Sequence, residues 1–429
     1  MLLAVTGMQA QLNSLLTDAS ATFTNPADTN IVRNYNDQYA VGYIVDNGTP
    51  YFYSAPIDSF SVPSVVPLTA GYKINVPNGI EVSDMKILGE NTYFCGKKNF
   101  SFGVFGTYGW FKTDELWTSS TVTIHYFTIP PMFNLKKMDI ARSLTGMINI
   151  VAIGEDNSSP RKSCIIEIPD AIDTLSNALS FASMPSLSQT LNDIHIVNNQ
   201  VFFVGMDINP SFNTFFIRKS TSFNVLADPS LSQIYYYTPT NNVTVLHYIA
   251  PCAEVLSNNQ MAVAHQNYFQ GVNIAVSYID LMSMNCVSSH FLSQENRSEL
   301  HEMKYIVNND ALFLLYNNIG GNSKLLAFHP TQVPPYSSYA LRSTQKYTSL
   351  DLLNSQSFIS SGKNFWYLQR TTFSNPLYPC ITSFEVQINQ FSYTKAVLNQ
   401  AITKINNFRY YNNDSQVVYS VTIRVNCQH

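Results

Sequence analysis

A β-hairpin that returns about every 54 residues constrains this chain more than any other feature. Residues 84–96 read DMKILGENTYFCG and residues 193–205 read DIHIVNNQVFFVG. Aligned without a gap, both run acid, apolar, basic or His, Ile, aliphatic, a two-residue turn, then an aromatic-rich segment ending in Gly. A looser copy, EMKYIVNNDALFLLY, occupies 302–316. Turn residues recur at Gly89-Glu90, Gly146, Asn198-Asn199, Asn258-Asn259, Asn308-Asn309, Gly362-Lys363 and Asn412-Asn413. Asn and Gly tolerate the positive φ of a tight hairpin, and the alternation on either side is that of paired strands.

Further strand-like runs come after each hairpin: GVFGTYGWF and VTIHYFTI, then CIIEI, then TFFIRK and IYYYTP, then VNIAVSYIDL and NCVSSHFL. Four antiparallel strands in about 50 residues make a propeller blade, whereas helical repeats would need a 3.6-residue period that is absent. One stretch, residues 172–184 (IDTLSNALSFASM), reads as a helix inserted in a blade. The last hairpin, residues 408–423, has no outer strands after it, while 39–45 (YAVGYIV) and 49–54 (TPYFYS) are two strands to spare before the first repeat. The expected fold is therefore all-β: a seven-bladed β-propeller of four-stranded antiparallel blades. N-terminal strands complete the C-terminal blade by pairing residues 39–54 with 416–423, in a single domain over 12–429.

Only 12% of residues are charged, about half the usual share of a soluble domain. With 24 basic and 28 acidic residues, the chain lacks the electrostatic footprint of a nucleic-acid or anionic-membrane binder. No apolar run reaches the length of a membrane-spanning helix. Residues 1–11, MLLAVTGMQAQ, read as the remnant of a secretory signal with Ala10 before the cleavage point; a short amphipathic helix continued by Leu12, Leu15 and Leu16 is the other reading. Secretion, a cell-surface location or the periplasm is expected. The six cysteines are far apart and form no C-x-x-C pair, which leaves buried thiols and long-range disulfides both open; for Cys95, inside TYFCG, a free core thiol fits better.

The repeat resembles β-propellers in general and, through the secretion-like start and the YFCG style of hairpin, uncharacterised secreted propeller proteins of Bacteroidetes. The likeness covers the whole chain at the level of fold, and it implies no chemistry. The WD dipeptide, the recurring double-glycine pattern of kelch blades, the YWTD strand and the sialidase Asp box are all missing from the sequence.

Signatures of nucleophilic, nucleotide-binding and zinc-protease sites are also missing. His301-Glu302 begins like H-E-x-x-H, but Tyr305 stands where the second ligand belongs. No metal or cofactor is expected. One pattern does carry chemistry: at the equivalent position of the first strands stand Lys86, His195, Lys304 and, in the looser last copy, Arg409, with Val255 and Ile359 in two others. Asp84, Asp193 and Glu302 precede three of them by two residues, on the same side of the strand. First strands line a propeller's channel. Either these charges neutralise one another as structure, or the bases form a channel-mouth site for a carboxylate or uronate. Tyr235, Tyr236 and Tyr237, with Trp110, Trp117 and Trp366, are either packing between blades or platforms for sugar rings. The expected function is a secreted, non-enzymatic binding or scaffold protein, a monomer taking a glycan or a cell-surface protein at one face. The alternative is a polysaccharide lyase or glycoside hydrolase with its site at the channel mouth.

Overall fold

The computed structural model describes residues 11–17 and 31–425, apart from several segments between strands, among them 57–68, 246–250, 293–297, 331–335 and 373–380. Residues 1–10, Trp366, Cys380 and Cys427 lie outside the described residues. The chain is all-β and forms antiparallel sheets arranged as propeller blades.

After β1 (Gln11–Thr17), antiparallel meanders succeed one another along the chain. The first holds β2 (Ile31–Tyr35), β3 (Tyr39–Asp46), β4 (Thr49–Pro56) and β5 (Thr69–Asn75). The next holds β6 (Ile80–Leu88), β7 (Asn91–Phe100), β8 (Gly103–Lys112) and β9 (Thr121–Ile129), with a one-turn helix α1 (Glu115–Thr118) before its last strand. Then come β10 (Phe133–Arg142), β11 (Ile148–Asp156), β12 (Ser163–Ile168) and β13 (Ala178–Ser183), and after them β14 (Gln189–Val197), β15 (Gln200–Asp207), β16 (Thr214–Ser220) and β17 (Gln233–Pro239). The two-residue β18 (Thr244–Val245) leads to β19 (Cys252–Val255), β20 (Gln260–Tyr268), β21 (Val272–Asp280) and β22 (Cys286–Leu292). Next are β23 (Ser298–Ile306), β24 (Ala311–Asn318), β25 (Ser323–Phe328) and β26 (Tyr336–Leu341), and then β27 (Lys346–Leu353), β28 (Ser357–Lys363) and β29 (Tyr367–Thr372). The expected inserted helix is in fact a turn that leads into β13; its Leu179 and Ala182 are buried, and strand packing overrides its helical spacing.

The core lies between neighbouring meanders. Tyr93, Cys95, Tyr108 and Phe127 of one pack against Met138, Ile150, Ala152 and Ile166 of the next. Val151, Ile153 and Ile165 pack in turn on Ile194, Phe203 and Phe216. Because both faces are covered, strands such as β12 are buried at every position and lose the alternation of a half-exposed sheet. The innermost strands touch in order: β2 meets β6, β6 meets β10, β10 meets β14, β14 meets β19, β19 meets β23, β23 meets β27, and β27 meets β2.

The C-terminal stretch departs from the expected order. The strands that follow β29 run round the outside in the opposite sense, adding an outer strand to the six earlier meanders in reverse order. β30 (Ile381–Phe384) joins β26, β31 (Ile388–Phe391) joins β22, β32 (Tyr393–Asn399) joins β17, β33 (Ile405–Phe408) joins β13, β34 (Tyr410–Val417) joins β9, and β35 (Tyr419–Val425) joins β5. This outer belt is pinned from the sheets: the fully buried Arg218 donates to the side-chain and main-chain oxygens of Gln400, and Tyr393 and Tyr411 bond the rings of His265 and His125 at 2.7 Å each.

Asn412-Asn413 is the middle of β34, facing Tyr126 and His125, and Gly362-Lys363 ends β28; neither is a hairpin turn. Residues 408–423 have the composition of a hairpin, but their two halves belong to different sheets. Residues 39–54 accordingly pair with β2 and β5, and the N-terminal strand that joins the last meander is β1, through Gln11↔Thr372, with β35 bridging it to β5. Cys95, Cys164, Cys252 and Cys286 are free thiols, the first three buried.

Candidate functional site: an axial ring of charges

The innermost strands share a device that the sequence comparison caught in part. In β6, β10, β14, β23 and β27 a one-residue bulge interrupts pairing, between Val82/Asp84, Leu135/Lys137, Leu191/Asp193, Leu300/Glu302 and Tyr347/Ser349. A bulge bends the strand and re-aims the side chains beyond it. The residue just past the bulge is Asp84, Lys137, Asp193, Glu302 or Ser349, and two residues on stands Lys86, Asp139, His195, Lys304 or Asp351. Register against the second strands adds Arg33 in β2 and Glu254 in β19 to this second tier.

In chain order the second tier is Arg33, Lys86, Asp139, His195, Glu254, Lys304 and Asp351, so charge alternates between neighbouring strands at every step except from Arg33 to Lys86. Lys86 lies 3.9 Å from Asp139 and Lys304 lies 3.7 Å from Asp351. Arg33 avoids its like-charged neighbour by turning to the other tier, where Nη2 meets Asp84 at 2.9 Å and Glu302 at 3.0 Å. Its Nε donates to Met85 O and its Nη1 to Val32 O and Ser349 Oγ, so one buried guanidinium ties four innermost strands. Lys137 pairs with Asp193 at 3.0 Å.

The carboxylates are used a second time. Asp84 accepts Met138 N–H at 3.1 Å, Asp139 accepts Ile196 N–H at 2.6 Å, Asp193 accepts Ala253 N–H at 2.9 Å, and Asp351 accepts Asn34 N–H at 2.7 Å. Glu302 accepts from Leu350 N–H and Ser349 Oγ. Apart from that of the Ser349 hydroxyl, each of these bonds runs from one innermost strand to the main chain of the next, where a bulge or strand edge would otherwise leave a buried N–H unmet. The same pairs set the electrostatics. Burial by itself would raise Asp193 and Glu302, but Lys137 beside the first and Arg33 beside the second hold both carboxyls below the usual carboxylate range. Burial would lower His195, yet Asp193 at 3.8 Å and the more distant Glu254 hold it above the ordinary imidazole value.

Glu254 is the exception. Among the described residues its carboxylate has no hydrogen bond or ion pair, and burial raises its pKa despite Lys304 and His195 on the two neighbouring innermost strands and Lys86 further round the ring. These groups enclose a cavity of about 140 Å³, enough for a few waters at ~30 Å³ each and well short of the ~300–1,000 Å³ of an organic-ligand pocket.

Of the sequence-derived positions, Lys86, His195 and Lys304 line this cavity, with Lys86 and His195 structurally equivalent as the gapless alignment required. Arg409 does not. It lies between β33 and β34 in the outer belt, fully buried, donating to Tyr108 Oη and to the main-chain oxygens of Asp170 and Asp173, with its guanidinium 4.5 Å over the Phe127 ring. Val255 and Ile359 are one residue and one strand out of step: Glu254 and Asp351 hold the ring positions in β19 and β27. Glu302 of the H-E pair is a ring carboxylate, and His301 sits in the bulge beside Asn317. The described aromatic groups are packing: Tyr236 bonds Asp207 and Tyr237 bonds Met284 O, Trp117 stacks on Tyr39 at 3.9 Å, and Trp110 stacks on His125 at 4.2 Å; Trp366 lies outside the described residues.

Among the described residues no group of His, Cys, Asp and Glu is arranged to hold a metal ion, and no helix is long and apolar enough to cross a membrane. No protein-family model and no curated protein matches the chain. Among solved structures it is similar to a chain of the mitotic checkpoint complex, at 8% identity over 86% of this chain and 92% of that one, with a TM-score of 0.45. It is also similar to a protein of unknown function from Bacteroides thetaiotaomicron VPI-5482, at 7% identity over 84% and 90% of the two chains, with a TM-score of 0.37.

Proposed function

We propose that this chain is a secreted, non-enzymatic binding or scaffold protein: a single seven-bladed propeller, closed by its N-terminal strand and its belt, that takes a glycan or protein ligand at one face. The cyclic contact of the innermost strands supports the count of seven. An odd ring cannot alternate charge throughout, and the one like-charged step, Arg33 beside Lys86, is the mismatch such a ring requires. Secretion rests on the low charge and aromatic-rich composition; the buried thiols of Cys95, Cys164 and Cys252 are compatible with it, because burial raises each thiol and withholds the reactive thiolate.

The observation that carries the non-enzymatic reading is the use of the axial carboxylates. Asp84, Asp139, Asp193, Glu302 and Asp351 each bond the main chain of the next innermost strand. Groups so fixed have neither the free lone pairs nor the room for acid–base work on a sugar. One observation favours the rival, a carbohydrate-active enzyme: Glu254 is unspent and raised by burial, as a general acid would be. Incubating the purified protein with a panel of polysaccharides, reading melting temperature and reducing-end release together, tests both. The binding reading expects thermal shifts without sugar release; release that Glu254→Gln abolishes would replace it with the enzyme.

A further inference from the structure

A second concavity has the opposite chemistry. The β3–β4, β5–β6 and β7–β8 connections leave the same end of their meanders, because alternate connections of an antiparallel meander do. Between them, with Gln416 of the belt, lies a groove of about 490 Å³ whose lining includes Pro50, Asn75, Val76, Asn78 and Ile80. Main-chain bonds hold its floor: Val76 N–H to Pro50 O at 3.0 Å, Ile80 N–H to Pro77 O at 3.1 Å, and Asn99 N–H to Gly79 O at 2.8 Å. Gly79 has φ +80°, and a Cβ there would lie 3.0 Å from Asn99 O, so the close approach of the two connections needs glycine.

The groove is nearly neutral. The one charged residue among the described residues that line it, Glu81, is bridged to Lys97 at 2.9 Å and accepts from the Asn99 amide. Among the described residues no lysine, arginine or histidine lines it, which argues against phosphates and uronates as its ligands. Its amides, by contrast, are unspent: among the described residues the side chains of Asn75, Asn78 and Gln416 have no hydrogen-bond partner, although Asn75 and Gln416 are half-buried. A half-buried amide offers two donors and an acceptor, and hydration satisfies them less fully there than at an open surface. Vicinal hydroxyls offer the same donors and acceptors in return, and Pro50, Val76 and Ile80 supply an apolar floor for the C–H side of a ring. The volume lies within the ~300–1,000 Å³ range of ligand pockets.

From this we infer that the groove between β3–β4, β5–β6, β7–β8 and the belt binds an uncharged oligosaccharide, read by the amides of Asn75, Asn78 and Gln416. The inference rests on the binding reading above and gives it a place and a ligand class. The belt completes the site by supplying Gln416.

The test is calorimetric titration of the full chain with neutral tetrasaccharides (cello-, malto-, laminari- and mannotetraose), with trigalacturonate as the acidic control and a neutral Gly/Ser/Thr/Asn peptide as the rival ligand. At least one neutral tetrasaccharide should bind, trigalacturonate should not, and Asn75→Ala and Gln416→Ala should each weaken binding about tenfold at unchanged melting temperature. Because Asn75 and Gln416 make no bonds in the protein through their side chains, these variants should fold; circular dichroism checks it. Neutral-sugar binding that both variants retain would overturn this site and leave the binding reading standing. Binding of the peptide alone, or of none of these probes, would overturn the ligand class. Sugar release from the same mixtures would overturn the binding reading itself.

Discussion

The axial cavity and the groove beside the belt are both concave and both lined by polar side chains, yet they differ in what those side chains have left to offer. At the axis, charge is dense and committed: apart from Glu254, every carboxylate of the ring bonds the next innermost strand. In the groove, charge is sparse and the amides of Asn75, Asn78 and Gln416 are uncommitted. A cluster of titratable residues at a symmetry axis therefore reads here as the fastening of a ring, and the less conspicuous amides as the place for a guest. Each contrast has a measurable consequence.

The largest expected effect is at Arg33. Arg33→Met strands Asp84 and Glu302 in a buried site without their shared cation, a loss expected to cost roughly 3–5 kcal/mol. Urea denaturation measures it; a cost below ~1 kcal/mol would mean the axis is wetter and less committed than described.

Next is pH. Asp193 and Glu302 are held below the usual carboxylate range, so their contribution is present above the unfolded value near ~4 and is lost as pH falls through their folded values. His195 is raised, so its contribution is complete below the unfolded value near ~6.5 and is lost as pH rises through the folded one. Melting temperature should therefore peak in the mildly acidic range and fall steeply on the acid side. In Lys137→Met, which removes the cation next to Asp193, the acid-side fall should be shallower and begin from a lower plateau.

A smaller effect of opposite sign is expected at Glu254. Burial raises its pKa, so its ionised form costs stability at neutral pH. Glu254→Gln should raise the melting temperature by about 1 °C at pH 7 and leave it unchanged in acid, where the carboxyl is protonated in both states. The smallest effect belongs to the groove: Asn75→Ala and Gln416→Ala should change unfolding free energy by no more than ~0.5 kcal/mol, since nothing in the protein depends on those amides.

Legibility in the sequence tracked the repeat. Where a copy kept its strand, two-residue turn and aromatic strand, as at 84–96 and 193–205, both the hairpin and the inward position of Lys86 and His195 could be read by alignment. Arg33 and Lys137 were hidden because the first meander has a short innermost strand turned by Asn36 and Asp37, and because Lys137 takes the tier that Asp84 and Asp193 hold in the aligned copies. Glu254 was missed by a one-residue slip, which in a strand moves a side chain to the opposite face. The belt was illegible for a different reason. Its strands have ordinary β composition, and an Asn-Asn pair inside a strand looks the same as one in a turn; only pairing with β9 and β5 separates the cases. The misplacement of Arg409 came from that error. The groove left no local signal, because its residues come from three connections and the belt.

The most direct test of the central claim is the double substitution Lys86→Met with Lys304→Met, comparing its urea midpoint with that of the unaltered protein and titrating both with trigalacturonate. These lysines sit 3.9 and 3.7 Å from Asp139 and Asp351 and are partly exposed, so their joint loss should cost about 1–2 kcal/mol after allowance for solvent screening. If the axial charges fasten the ring, the midpoint falls and neither protein binds trigalacturonate. An unchanged midpoint together with trigalacturonate binding that only the unaltered protein shows would contradict the account and make the axis the ligand site.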